Sequence, residues 1–180
     1  MKLKELFEST GKSVADLGID YKGGNFFCAN NRLTSIEGAP SHVDGYFNCA
    51  SNELTSLEGA PSRVDGNFDC AYNKLTSLEG APSHVGGDFY CHNNKLTSLK
   101  DVHKHVTEIK GEFYAFKNPI NSHVLGLLLI KGVTGVHLDN KQVEEKVEEI
   151  LNSYLGKGRV GMLMAQEELI EAGLEEFAQL

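Results

Sequence analysis

The sequence is short of several things that common classes of protein need. It has no tryptophan, and its apolar residues never form a long run: Leu127 to Ile130 is far too short to span a bilayer. The residues from Met1 to Glu8 lack the apolar centre of a secretory signal peptide. These absences predict a protein that has no membrane contact and stays in the cytoplasm in which it is made.

Positive charge is also scarce. The 180 residues include 17 Lys and Arg against 25 Asp and Glu, for a formal net charge of -8. Binding to nucleic acid regardless of sequence needs cations clustered on one face to neutralise phosphates, so we expect no nucleic-acid partner. A protein partner should be neutral or basic. At this length, with 41% hydrophobic residues, one continuous body is expected rather than two independent domains.

Motifs of the common enzyme classes are missing. The chain contains no G-x-S-x-G, no G-x-x-x-x-G-K-[ST] and no H-E-x-x-H. His103 and His105 could join His92 or His123 around a metal ion, but scattered surface histidines are much commoner than metal sites. The glycine-rich segment 156–161 joins two helical patterns and is interpreted as a hinge. We therefore expect no enzymatic activity, no cofactor and no metal.

What the chain has instead is a repeat. Its four cysteines stand 21 residues apart, each inside a phrase that recurs with small changes. If each cysteine holds the same place in successive coils, neighbouring thiols lie about 4.8 Å apart, in a parallel geometry that is poor for bridging. Ala115 takes this place in a fifth coil. We expect a row of small buried side chains rather than disulfides or a metal cluster. The cysteines are Cys28, Cys49, Cys70 and Cys91.

Residues within each coil alternate as in a short strand. Phe47 and Cys49 are expected to point inward, whereas Tyr46 and Asn48 point outward. The Asn three residues after each Cys should turn the chain, and stacked amides can satisfy backbone groups of adjacent coils. The Gly-Ala-Pro segment that follows predicts a narrow turn without a helix. The repeated sets are Phe26, Cys28, Asn31 and Leu33; Phe47, Cys49, Asn52 and Leu54; Phe68, Cys70, Asn73 and Leu75; Phe89, Cys91, Asn94 and Leu96; and Phe113, Ala115, Asn118 and Ile120.

This pattern resembles the L-x-x-L-x-L-x-x-N-x-L segment of leucine-rich repeat proteins over about residues 23–121. The short period resembles the repeats of bacterial effector proteins, and the Leu-Glu-Gly-Ala-Pro endings resemble small repeat proteins carried by bacteriophages. The resemblance implies an α/β repeat fold, a leucine-rich repeat solenoid with a parallel sheet of five to six short strands and a non-helical convex side. Such effectors often carry a ubiquitin-ligase domain with a nucleophilic Cys, but no Cys follows Cys91, so that activity is not implied. The sequence departs from the family where Gly45, Gly66, Gly87 and Gly111 replace bulky residues near the strand starts.

The flanking residues predict helical caps at both ends of the array. Residues 1–22 should form an N-terminal cap with helical segments at 4–10 and 13–17, the second beginning at Ser13 and ending at Gly18. Residues 23–121 would hold the five coils, and residues 122–180 a C-terminal cap.

The C-terminal cap should begin with a buried helix at 124–130, followed by a sixth strand that contains Val133, Val136 and Leu138. A helix capped by Asp139 or Asn140 would then end at Gly156, and a last helix would span 160–179. The apolar stripe expected on the first of these helices is Val143, Val147, Ile150 and Tyr154. The stripe expected on the last is Leu163, Ile170, Leu174 and Phe177.

Function should lie on the outward strand positions, because the inward ones pack the core. The later coils gather aromatic rings and acids there, and aromatic side chains are favoured at the centre of binding patches. Cross-strand aromatic rows can also serve only to stabilise a sheet. The candidate partner-binding residues are Tyr90, Tyr114, Phe116, His92, Asp69, Asp88 and Glu112.

Three functional hypotheses follow. The first is a non-enzymatic protein-binding module which, by its resemblance to phage proteins, binds or inhibits a bacterial host protein in the host cytoplasm. The second is a structural protein that assembles into oligomers through its end caps. The third is a protein that sequesters a small molecule or nucleotide in a pocket near Tyr90 and Tyr114.

Overall fold

A computed structural model of the protein describes residues 11–138 and 145–180. The chain winds into a solenoid of stacked turns in which each strand pairs parallel with the equivalent strand one coil later. Phe26 is level with Phe47, and Phe47 with Phe68, so the register advances by 21 residues a turn. This confirms the predicted repeat solenoid with its parallel sheet.

The strands form two sheets, one along each of two sides of the solenoid. One sheet has six strands in the order β1-β3-β5-β7-β9-β10, and the other has four in the order β2-β4-β6-β8. The strands are β1 (Phe26–Phe27), β2 (His42–Val43), β3 (Phe47–Asn48), β4 (Arg63–Val64), β5 (Phe68–Asp69), β6 (His84–Val85), β7 (Phe89–Tyr90), β8 (Glu108–Ile109), β9 (Glu112–Tyr114) and β10 (Gly135–His137).

The six-stranded sheet matches the predicted strand face, and β10 is the predicted sixth strand, paired with β9. The four-stranded sheet was not predicted. Each of its strands is two residues long, with an inward Val or Ile beside an outward polar residue, which is too short for an alternating pattern to be recognised.

The core is built from identical side chains stacked coil upon coil. The Phe26 and Phe47 rings lie 5.4 Å apart and the Phe47 and Phe68 rings 5.6 Å apart, nearly parallel in both pairs. All four cysteines are buried and unbridged, as predicted. Burial raises the pKa of the Cys28 thiol to about 12 and raises that of Cys49, so the thiols remain protonated and unreactive.

The asparagine row joins each coil to the one before it, as the sequence predicts. The Oδ1 atom of Asn73 accepts a hydrogen bond from the Leu54 amide at 3.0 Å. Its Nδ2 atom donates to the carbonyl oxygens of Cys49 and Cys70, both at 3.1 Å. One buried amide therefore satisfies backbone groups that two successive turns leave without a ladder partner.

Glycine at the start of each strand allows the coils to stack closely. The Gly66 amide donates to the Gly45 carbonyl at 3.0 Å, and the Gly87 amide to the Gly66 carbonyl at 3.1 Å. A Cβ atom on Gly66 would lie 2.8 Å from the Gly45 carbonyl group, closer than packed atoms tolerate. This close approach explains why the repeat has glycine near the strand start, where leucine-rich repeats have a bulky residue.

The first coil is covered by residues 11–18. Val14 is buried, the Ala15 amide donates to the Glu37 carbonyl at 2.9 Å, and a 3-10 helix spans Ala15–Leu17 and ends at Gly18. The predicted start at Ser13 is wrong, since the helix begins at Ala15. The Ser13 amide and hydroxyl both donate to the carboxylate of Asp16, which lies within the helix. The helical segment predicted at 4–10 lies outside the described residues.

The convex side, which was predicted to be non-helical, carries one short helix, α1 (Val102–His105). It occupies the coil between β7 and β9, in which the spacing from Phe89 to Phe113 is 24 residues, whereas the three preceding spacings are 21. The three additional residues leave the strand register unchanged because they are accommodated on the convex side.

The last coil is covered by a 3-10 helix (Leu125–Leu129), α2 (Glu145–Tyr154) and α3 (Gly158–Glu171). The buried segment at 124–130 is confirmed as helical, and Val147 and Ile150 of α2 are buried as expected. The predicted cap at Asp139 or Asn140 and the predicted core residue Val143 lie outside the described residues. Within the described ranges, no helix combines the length and apolar character that a membrane-spanning segment needs.

The prediction for the last helix is wrong in its end and in half of its buried stripe. The helix ends at Glu171, and Leu174 and Phe177 are buried beyond it. Leu163 and Ile170 are exposed, because α3 packs on the solenoid through the opposite face. That buried face consists of Gly161, Met162, Ala165 and Leu169.

If the asparagine row holds the coils together, Asn73→Ala should lower the free energy of unfolding by about 2–3 kcal/mol, because the Leu54 amide and two carbonyl groups lose their buried partner. Urea denaturation measures the change. The control is Asn121→Ala, at an exposed position, which should change the free energy by less than about 0.5 kcal/mol. Equal effects at the two positions would contradict the structural role of the row.

Candidate functional site

The structure brings all seven candidate residues together on the outer side of the six-stranded sheet. Each of them is partly exposed, and Tyr90 lies in register between Asp69 and Tyr114. Three further side chains join the same surface: Tyr46, Tyr72 and His137. We refer to these ten residues as the strand-face patch. The seven predicted members are Asp69, Asp88, Tyr90, His92, Glu112, Tyr114 and Phe116.

The rings of the strand-face patch form two stacks that follow the strand spacing. In the first, the Tyr90 and Tyr114 rings are 4.8 Å apart, and the Tyr114 and His137 rings 4.5 Å apart. In the second, the His92 and Phe116 rings are 4.3 Å apart. Because paired residues of neighbouring strands lie about 4.8 Å apart, equivalent rings in successive coils come within stacking distance of each other.

Each acid of the strand-face patch accepts a hydrogen bond from a tyrosine hydroxyl. Tyr46 donates to Asp69 at 2.8 Å, Tyr90 donates to Asp88 at 2.8 Å, and Tyr114 donates to Glu112. The other oxygen of Asp69 accepts from the Ala71 amide, and that of Asp88 from the Glu112 amide. The acids are therefore held in fixed positions against the sheet.

These bonds keep the tyrosines neutral and the glutamate charged. The Glu112 carboxylate raises the pKa of Tyr114 to about 12, and burial together with Asp88 raises the pKa of Tyr90. The hydrogen bonds from Tyr114 and His137 lower the pKa of Glu112. The patch therefore offers neutral aromatic rings beside carboxylate groups, which leaves it with negative charge.

His92 is held differently from His137. Burial lowers the pKa of His92, and its Nδ1 atom is buried with no hydrogen-bond partner among the described residues. The Tyr72 ring meets it edge-on at 5.3 Å. His92 therefore acts as a neutral aromatic ring between Tyr72 and Phe116.

The C-terminal cap holds His137, the member of the strand-face patch on the last strand, β10. The Nε2 atom of His137 lies 2.9 Å from the Glu112 carboxylate, and its Nδ1 atom lies 3.8 Å from Glu148 of α2. Glu148 also accepts a hydrogen bond from the Leu138 amide at 2.7 Å, and Asn152 of α2 bonds both backbone groups of Val136. Helix α2 thus positions β10 as well as covering it.

Three members of the strand-face patch were not among the predicted site residues. His137 could have been found by alternation, since Val136 points inward and the next residue must then point outward. Tyr46 was recognised as outward but was not connected to Asp69, which lies 23 residues later. Tyr72 follows the strand with a positive φ of 55°, so alternation gives no signal for it.

The suggested histidine metal site is not formed. Among the described residues, the only group of three or more His, Cys, Asp or Glu side chains close enough to share an ion is His42, Asp44 and Asp65. All three are exposed, and Arg63 already pairs with Asp65 at 2.7 Å. A cation at this position would have to compete with the guanidinium group, so these residues form a surface ion-pair cluster.

A cavity of about 220 Å³ lies beside α1, on the convex side. Ser77, Glu79, Lys100, Asp101 and His105 contribute to its lining. None of its lining residues belongs to the strand-face patch, so it is not the pocket expected near Tyr90 and Tyr114.

If Tyr114 holds Glu112 in its charged form, Tyr114→Phe should lower the free energy of unfolding more at neutral than at acidic pH. The folded-state pKa of Glu112 lies below its ordinary value of 4.5, so its contribution to stability is present above 4.5 and is lost as the pH falls through the folded-state pKa. Urea denaturation of wild type and variant from about pH 7 to about pH 2 measures this difference.

The control for this experiment is Tyr21→Phe. The Tyr21 hydroxyl bonds only backbone groups, donating to the Gly24 carbonyl and accepting from the Asp44 amide. Removal of the Tyr21 hydroxyl should lower the free energy of unfolding by the same amount across the pH range. A Tyr114→Phe effect that is also independent of pH would contradict the coupling to Glu112.

No family model, curated protein or solved structure matches this chain.

Proposed function

We propose that the protein is a non-enzymatic binding module that holds a protein partner on the strand-face patch. The observation that carries the proposal is the combination of stacked, partly exposed rings with carboxylates fixed beside them on one side of a rigid sheet. Rigid aromatic side chains bury a large area at small entropic cost, which is why they dominate binding hot spots.

Sheet stabilisation alone accounts for only part of this arrangement. Stacking uses the ring faces of Tyr90, Tyr114 and His137, and these side chains remain partly open to solvent. The earlier strands of the same sheet pair without such a stack, since Asn48 and Asp69 stand at the positions equivalent to Tyr90 and Tyr114. Stability of the sheet therefore does not require aromatic rings at these positions.

The partner that suits this surface is basic. An arginine side chain can place its guanidinium group over an exposed tyrosine ring and pair with a neighbouring carboxylate. The strand-face patch supplies both groups within single coils, as Tyr90 beside Asp88 and Tyr114 beside Glu112. The net charge of -8 would also steer a basic partner toward the protein.

The biological setting is proposed from resemblance. The short leucine-rich type of repeat and its Leu-Glu-Gly-Ala-Pro endings support a bacteriophage-encoded factor that binds or inhibits a bacterial host protein in the cytoplasm.

The proposal predicts that Tyr90→Ala combined with Tyr114→Ala weakens partner binding at least about tenfold, because two central aromatic contacts are removed. A partner is first captured on the immobilised wild-type protein from bacterial lysate and identified by mass spectrometry. Calorimetry with the purified partner then gives the dissociation constant for each variant, and circular dichroism verifies that each variant is folded.

The matched control combines Thr55→Ala with Thr76→Ala, at two exposed positions in the loops outside both sheets. It should bind as the wild type does. Unchanged affinity of a folded Tyr90→Ala, Tyr114→Ala variant would contradict the proposed site.

A further inference from the structure

Helix α3 carries large apolar side chains on two opposite sides, and the solenoid covers only one of these sides. The face packed on the solenoid contains Met162, Ala165 and Leu169. The opposite face, which we name the outer face of α3, carries four large apolar side chains around Glu167, which is also exposed. Their exposed fractions are Val160 67%, Leu163 53%, Met164 48% and Ile170 49%.

The neighbouring helix shows what a simple covering helix looks like in this protein. In α2, Val147, Ile150 and Leu151 are buried, while Lys146 and Glu149 on the exposed side pair with each other. A covering helix ordinarily turns its charged residues to solvent, whereas α3 also exposes four large apolar side chains. The outer face of α3 is therefore a surface that a further element should cover.

The charges on α3 indicate what that element is. Arg159 lies in the first turn, where no acid is present, and Glu171 lies at the end, where the last turn has no base. This order opposes the helix dipole, which favours acids at the N-terminus and bases at the C-terminus. Neither Arg159, Glu167 nor Glu171 has an ion-pair partner among the described residues.

A second α3 running in the opposite direction would compensate for this unfavourable placement of charge. Its acidic end would lie against the basic end of the first helix, and each dipole would run antiparallel to the other. The outer face is thus complementary to itself. A partner with one sign of charge would match only one end of it.

We propose that the protein forms a two-fold symmetric dimer through the outer face of α3, with the two helices antiparallel. In a pairing centred at the level of Ala165, Val160 of one copy faces Ile170 of the other, and the two Met164 side chains meet near the axis. Arg159 then lies at the level of Glu171 of the second copy and one turn from its Glu167, which is on the side turned toward the first copy.

The dimer is expected to be reversible. A helix of 14 residues is about 21 Å long, and one such face offers less than the roughly 800 Å² per partner that is typical of a stable interface. We therefore expect dissociation in the micromolar range.

Sedimentation velocity from about 5 to 500 µM measures the association of the wild-type chain. We expect a monomer that shifts to a dimer as the concentration rises. Leu163→Glu should remain monomeric throughout, and circular dichroism verifies that this variant of an exposed residue is folded. A wild-type monomer at every concentration, or a dimer that persists in folded Leu163→Glu, would overturn the proposal.

Charge reversal tests the antiparallel pairing. Arg159→Glu and Glu171→Arg should each weaken the dimer about tenfold, because each places like charges together twice in the symmetric interface. The double variant, Arg159→Glu with Glu171→Arg, should recover the wild-type affinity. Lys95→Glu, at an exposed position on the repeat array, is the control and should leave association unchanged. Failure of the double variant to recover would overturn the proposed pairing.

Discussion

The parallel register between successive coils is the constraint on which the rest of the structure depends. Each strand is only two or three residues long, so the backbone hydrogen bonds of one coil could not hold it in place alone. The buried amides of the asparagine row supply the missing specificity, since each bonds backbone groups of its own coil and of the preceding one. With this register fixed, equivalent strand residues of successive coils stack on one another. The phenylalanine and cysteine rows are the direct result.

The same constraint builds the strand-face patch. Outward positions are free of core packing, so they vary from coil to coil, and the later coils place Tyr90, Tyr114 and His137 one above another. The acids beside these rings are held by tyrosine hydroxyls, which preserves negative charge at a rigid aromatic surface. Helix α2 completes the arrangement by holding β10 in position. A dimer through α3 would give one assembly two such patches, which would strengthen attachment to a partner that offers two sites.

The sequence was informative wherever the 21-residue period repeats a residue. Phe47, Cys49 and Asn52 recur so regularly that their inward positions, and the outward positions between them, could be predicted before the structure was known. The 21-residue period did not predict the second sheet, because a two-residue strand is too short to show an alternating pattern. The prediction of the buried side of α3 also failed, because this helix has apolar residues on both sides and its pattern does not determine which side is buried. The outward position of His137 follows from alternation, but its pairing with Glu148 of α2 depends on a contact between elements that the repeat does not describe.

Chemical labelling of the four cysteines tests the stacked fold most directly. Their thiols are fully enclosed between coils, and burial raises their pKa values, so a thiol-specific reagent should modify none of them in the native protein. All four should react once urea unfolds the chain. Rapid modification of any cysteine under native conditions would contradict the inward row. Fewer than four reactive thiols after unfolding without reductant would show that the sulfur atoms are bridged.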